Sequence, residues 1–118
     1  MSDVTVLHHA QCSTSRHALT VAEDLGVDVE VVQYLKTPLT RDQLVALIAK
    51  LEDSPAELVR KDSFFKDQGL DAAGYTTPDQ VAELLVEHPR LMERPVLVRG
   101  DRAIIGRPKD RVAAFLEG

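Results

Sequence analysis

A chain of 118 residues with one cysteine is long enough for a single domain with a real core, too short for two, and unable to form an internal disulfide. Hydrophobic residues at 44% and charged residues at 28% describe an ordinary globular protein, and the absence of Trp leaves the core to Val, Leu, Ile and Ala. A net charge of −5 argues against nucleic acid or a membrane surface as the main partner, and without a signal-like or long apolar segment the chain reads as cytosolic.

Residues 4–7 form a short apolar run that predicts a buried first strand. The run stops at a polar turn, HHAQCSTSR at 8–16, after which Ala18, Leu19, Ala22 and Leu25 recur at helical spacing until Gly26 ends the helix. Cys12 therefore sits where a strand hands over to a helix. Backbone N–H groups at a helix start lack intrahelical partners and carry the positive end of the helix dipole, so they favour a thiolate over a thiol. A free cysteine is more often a small buried hydrophobe. Here Gln11, Ser13, Thr14, Ser15 and Arg16 would be poorly satisfied in a core, which favours an exposed, reactive sulfur. The Ser and Thr hydroxyls can donate to it, and Arg16 or a protonated His8 or His9 can add positive charge.

Residues 27–34 alternate Val with acidic residues and predict a second strand, parallel to the first. Such a right-handed strand–helix–strand unit binds ligands beyond the C-terminal ends of its strands, where Cys12 lies. Thr40 and Gln43 form a capping box ahead of Leu44, Leu47, Ile48 and Leu51. Ser54-Pro55-Ala56-Glu57 repeats the signal for a short helix that holds Leu58 and Val59 and delivers Arg60 and Lys61. Residues 61–76 read as a loop with a helical turn or two, pinned by Phe64, Phe65, Leu70 and Tyr75. Thr77 and Gln80 then cap a helix whose Val81, Leu84, Leu85 and His88 share a face, and Pro89 stops it.

Residues 96–98 and 103–105 predict a hairpin with Gly100-Asp101 at its tip. Gly106-Arg107-Pro108 opens a last helix that buries Val112, Ala113, Phe115 and Leu116. This order predicts a single α/β domain over residues 1–118. Its core is a thioredoxin-like mixed sheet, two parallel strands plus an antiparallel hairpin, with a helical insertion at about 40–90.

Cys12 in H-x-x-x-C-x-T-S-R, LVRKD at 58–62, ERPVLV at 93–98 and IIGRP at 104–108 together resemble the thiol-dependent arsenate reductase family of the thioredoxin superfamily. YLKTPLTRDQL at 34–44 and HPRLMERP at 88–95 extend the resemblance to nearly the full length. It implies that Cys12 attacks arsenate, that Arg60, Arg94 and Arg107 hold the oxyanion, and that His8 stabilises the thiolate, to which the Ser15 hydroxyl can donate as well. It also implies a cis peptide bond at Arg94-Pro95. Arginine suits the task, because its planar fork makes paired charge-assisted hydrogen bonds to a tetrahedral oxyanion and stays charged at any working pH. Arg41, Arg90, Arg99, Arg102 and Arg111 read instead as solvated surface charges, as do His17 and His88 among the histidines.

With no second cysteine, an external thiol must complete the reaction, and the resemblance implies glutathione with glutaredoxin and an otherwise monomeric enzyme without a bound cofactor. His8, His9, His17 and Cys12 lack any recognised zinc spacing, so no metal is expected. The chain departs from the family at His9, Ala10, Ser13 and His17. Two other readings compete: a regulator like the Spx proteins, which bind RNA polymerase, and a related thiol reductase with another substrate. The Spx proteins often carry a C-x-x-C switch. Here Ser15 stands at its second position while all three arginine motifs are kept.

Overall fold

Four strands make one mixed sheet in the computed structural model, which describes residues 4–107 and 109–117. β1 (Val4–His8) lies between β2 (Val29–Gln33) and β3 (Val96–Arg99), and β4 (Arg102–Ile105) forms the far edge. β1 and β2 are parallel, with Val6 opposite Val31. β3 runs antiparallel to both β1 and β4, with Leu97 opposite Val6 and Ile104. The expected thioredoxin-like sheet, a parallel pair joined to an antiparallel hairpin, is present.

Alternation along the strands sends side chains to two cores. Val4, Val6, Leu97 and Ile104 pack against α1 (Ser13–Asp24) and α5 (Asp110–Glu117) through Ala18, Ala22, Val112, Phe115 and Leu116. Leu7, Val96, Ala103 and Ile105 face the other way, onto the helical block. That block contains α2 (Arg41–Lys50), α3 (Ser63–Asp67) and α4 (Pro78–Glu87), with single 3-10 turns at Pro55–Leu58, Ala72–Gly74 and Pro89–Leu91. Thr40 with Gln43, Ser54 with Glu57 and Thr77 with Gln80 close the three expected capping boxes. At the hairpin tip Gly100 takes φ +63°, a left-handed conformation that suits a residue without Cβ.

Several expectations need correction. The alternation in residues 27–34 does not mark a buried face: β2 is an edge strand, Val31 is 43% exposed, and the buried residue is Tyr34, just past the strand. Leu25 is also exposed, because the helix ends at Asp24 and turns away through Gly26. Arg99 is not a solvated charge, since its guanidinium donates to the Phe115 and Leu116 carbonyls at 3.3 and 2.8 Å and so caps the C-terminal end of α5. Nor is Arg111, which pairs with Asp53 at 2.8 Å while the other Asp53 oxygen accepts from the Ile105 N–H. His88 packs its ring edge against Phe64, and Arg90 stacks over the same ring at 4.0 Å. Pro108, expected to open the last helix, lies outside the described residues; α5 begins at Asp110.

The register decides where loops meet. Leu7 is opposite Val96, and Val96 is opposite Ile105, so the C-terminal ends of β1 and β4 and the N-terminal end of β3 share one end of the sheet. The C-terminal end of β2 joins them, because β2 is parallel to β1. Cys12, Tyr34, Arg94 and Arg107 follow or precede these four strand ends.

Candidate active site

Cys12 is the N-cap of α1, with extended backbone (φ −95°, ψ 121°) and a half-buried side chain. Its thiol closes no cap hydrogen bond in regular geometry, so the free N–H groups of the first turn remain available to an anion. Burial pushes the thiol up. The backbone N–H of Ser15, the Arg94 guanidinium, the Thr14 N–H and the Ser15 hydroxyl outweigh it and bring the pKa down to about 7. Arg107 Nη2 lies 3.4 Å from the sulfur and donates to it.

The polar turn is less exposed than its composition suggests. Thr14 and Ser15 are buried, and the Ser15 hydroxyl also accepts from the His9 N–H at 3.4 Å. The expected cationic help from histidine is absent. Burial and then the charge of Arg16 lower the pKa of His8, and burial followed by Arg94 lowers that of His9, so both are neutral near pH 7. His8 Nδ1 is buried without a hydrogen-bond partner among the described residues. Arg16 is turned back onto the Ala10 carbonyl at 3.0 Å.

The three arginines arrive from different elements. Arg94 precedes β3 across a cis bond to the buried Pro95, and its carbonyl accepts from Arg107 Nε at 2.8 Å, which ties the segment before β3 to the one after β4. Arg60 is brought in by a short antiparallel bridge between Val59 and Met92, where Arg60 N–H donates to Leu91 O and Glu93 N–H to Leu58 O. Arg60 Nη1 then bonds Glu93 Oε1 at 3.2 Å, and its Nε lies 3.5 Å from Asp62 Oδ2. The Nε atoms of Arg60 and Arg94 are buried donors with no hydrogen-bond partner among the described residues. Arg60 Nε still faces the Asp62 carboxylate, whereas leaving the Arg94 donor unmade costs about 1–3 kcal/mol, a cost that a bound anion removes.

Two residues here escaped the sequence reading. Tyr34 is buried, its hydroxyl 3.5 Å from the Met92 carbonyl, its ring edge against His9. Burial raises its pKa against the pull of Arg94 and Arg60, so it stays a neutral phenol. Its position at the C-terminal end of a parallel strand was the available signal. Glu93 was visible as the neighbour of Arg94, but nothing in the sequence linked it to Arg60, 33 positions away.

Arrangements of this kind suit attack by a thiolate on a tetrahedral oxyanion: guanidinium donors offset the negative charge that would otherwise repel the sulfur. Among the described residues, no group of three or more His, Cys, Asp or Glu is placed to hold a metal ion, and no helix is long and apolar enough to cross a membrane.

Comparison with known proteins agrees with this chemistry. The ArsC family model matches residues 7–115. A protein named arsenate reductase from Neisseria meningitidis serogroup A is 35% identical over 118 residues, covering 98% of this chain and 100% of its own. The arsenate reductase of Escherichia coli K12 is 35% identical over 98% of this chain and 82% of its own. Among solved structures, a putative arsenate reductase from Yersinia pestis superposes with a TM-score of 0.84 at 37% identity, covering 95% of this chain and 99% of its own. The arsenate reductase from Vibrio cholerae gives 0.82 at 29% identity, with 96% and 97% covered.

Proposed function

This chain belongs to the ArsC family, and from that membership we propose that it reduces arsenate to arsenite with Cys12 as nucleophile and Arg60, Arg94 and Arg107 as oxyanion ligands. The observation that carries the reading is a thiol with a pKa of about 7 that has a guanidinium nitrogen 3.4 Å from its sulfur. About half of such a thiol is thiolate at neutral pH, against about 3% for an ordinary cysteine. The buried Nε of Arg94, without a hydrogen-bond partner among the described residues, supports the assignment of that residue, and Arg60 is held beside it by Asp62 and Glu93. Ser15 supports the thiolate through its N–H and hydroxyl. His8, neutral at working pH, has no charge to offer and acts at most through its ring N–H.

In the first step the Cys12 thiolate attacks arsenic(V), an As–O bond breaks, and the departing hydroxide takes a proton to leave as water. An S–As(V) ester remains. A thiolate from an external thiol then attacks the Cys12 sulfur, and the S–As pair of electrons leaves with arsenic, which departs as arsenite. Cys12 is left in a mixed disulfide, because no second cysteine exists to resolve it. A second external thiol breaks that disulfide and restores the Cys12 thiolate. Glutathione with glutaredoxin is the proposed donor, in the cytosol, acting on a monomer. The relatives named arsenate reductase leave the regulator reading without support.

Arsenite formation by purified protein, assayed with glutathione plus glutaredoxin, with small dithiols and with thioredoxin, tests this directly. Turnover should be lost in Cys12→Ser. Absence of Cys12-dependent arsenite with every donor would end the proposal.

A further inference from the structure

Arg60 stands between two carboxylates. Asp62 Oδ2 lies 3.5 Å from its Nε and Glu93 Oε1 lies 3.2 Å from its Nη1, so Nη2 is the nitrogen that neither carboxylate takes as its nearest partner. The charge of Arg60 acts on Tyr34 and on His9, whose rings meet, and the His9 carbonyl accepts from the Cys12 N–H at 3.0 Å. The guanidinium is therefore at the Cys12 end of the sheet. Its two holders differ. Glu93 also stands 3.8 Å from Arg107 Nε, whereas Asp62 is fixed by a helix start: as the N-cap of α3 it accepts from the Phe65 N–H through Oδ1 at 3.1 Å, which leaves Oδ2 to face Arg60. Burial pushes the Asp62 carboxyl up, but the Phe65 N–H, Arg60 and Arg90 outweigh it and hold it below the ordinary carboxylate range, so it is ionised at working pH.

We infer that Asp62 is a positioning residue for the anion site: one of its oxygens caps α3, and the other holds the Arg60 guanidinium in the orientation that leaves Nη2 for an oxyanion. The inference rests on the assignment of Arg60 proposed above and names what aims it. Arginine is long and rich in rotamers, and ordering it at the moment of binding is a cost that a side chain already held in place avoids. A capping carboxylate suits this task, because the helix start fixes it before any ligand arrives. Charge acts in the opposite direction, since a carboxylate beside Arg60 weakens its pull on an anion. Charge alone thus predicts tighter anion binding when Asp62 is neutralised, and positioning predicts weaker binding.

Asp62→Asn and Asp62→Glu separate the two oxygens. Asparagine caps a helix as well as aspartate does but turns an amide donor towards Arg60, whereas glutamate keeps a carboxylate within reach of Arg60 and is a poor cap. Calorimetric titration of sodium phosphate into the full chain, near neutral pH and at constant ionic strength, reads the result without turnover. Asp62→Asn should weaken phosphate binding by about threefold at an unchanged urea midpoint, part of the ordering cost of one side chain. Asp62→Glu should bind phosphate within about twofold of the unaltered protein, at a lower midpoint. Arg60→Ala should weaken binding further, and adding Asp62→Asn to it should change nothing more. Unchanged or tighter binding in Asp62→Asn overturns the inference, as does a loss that persists in the Arg60→Ala background or a weaker affinity in Asp62→Glu than in Asp62→Asn. Phosphate binding indifferent to Arg60→Ala removes Arg60 from the site and this inference with it. Arsenate turnover is read separately: phosphate affinity that responds to Asp62 through Arg60 in a protein without Cys12-dependent turnover keeps this inference and removes the reductase reading, whereas turnover with affinity indifferent to Asp62 does the reverse.

Discussion

Removing Arg107 should weaken the thiolate by an amount the geometry sets. Its Nη2 lies 3.4 Å from the Cys12 sulfur. At that distance Coulomb's law gives about 5 kcal/mol for an effective dielectric of ~20 and about 1.2 kcal/mol in water. The Arg107 side chain is 38% exposed, which places the pair towards the water limit. A loss of about 1.2 kcal/mol is close to one pH unit, so Arg107→Ala should move the alkylation midpoint of Cys12 from about 7 to about 8. The rate with iodoacetamide at pH 7 should fall by about fivefold, while the plateau at high pH stays near its original value. Arg107→Lys keeps the charge and should keep most of the low midpoint. It should still lose oxyanion affinity, because lysine cannot form the planar fork. An Arg107→Ala protein that titrates with an unchanged midpoint would show that the sulfur does not sense this guanidinium, and the electrostatic argument would fail.

Arg60→Ala and Arg94→Ala should each lower kcat/KM for arsenate by on the order of 10²–10³, the usual loss for one charge-stabilising donor; unaltered kinetics would remove that arginine from the site. A single turnover with arsenate and glutathione should leave Cys12 about 305 Da heavier by mass spectrometry, the mass of one glutathionyl group, and arsenite release without any thiol adduct would reject the order of steps. Gly106→Ala should destabilise the fold by about 1–3 kcal/mol in urea unfolding, because the added Cβ would sit 2.8 Å from Pro95 Cγ, 3.0 Å from Leu97 Cδ1 and 3.2 Å from Val112 Cγ2. An unchanged midpoint would mean that the packing of Pro95 under this loop has room to spare.

The order of elements and the position of Cys12 were legible because both rest on local signals: a short apolar run, a polar turn, capping boxes and a glycine stop. The shared end of the sheet followed from topology alone, since two parallel strands and a returning hairpin bring their flanking loops together. What stayed hidden depends on partners far along the chain. Alternation in residues 27–34 says that one face differs from the other, but only the sheet order reveals that β2 is an edge. Tyr34 and Met92 meet across 58 positions, and Arg60 meets Glu93 across 33. Histidine charge depends on the same kind of partner: an imidazole beside a cysteine promises a cation until burial and a neighbouring arginine are counted. Arg99 and Arg111 looked like solvated charges because a sequence does not show which carbonyls or carboxylates will fold against them.

A cysteine pKa near 7 has a consequence for the whole proposed cycle. Burial pushes the thiol up and the donors at the α1 terminus, with Arg94, pull it down. A stronger pull would yield more thiolate at neutral pH but a poorer nucleophile, since nucleophilicity falls as the pKa falls and the best attacking thiol titrates near ambient pH. Cys12 must also leave. In the last step it departs from the mixed disulfide, and a lower pKa speeds that departure. A single sulfur that attacks once and leaves once per turnover is served by a value near the working pH, which half-burial beside guanidiniums supplies. In a chain with no resolving cysteine, the environment of one sulfur has to meet both demands.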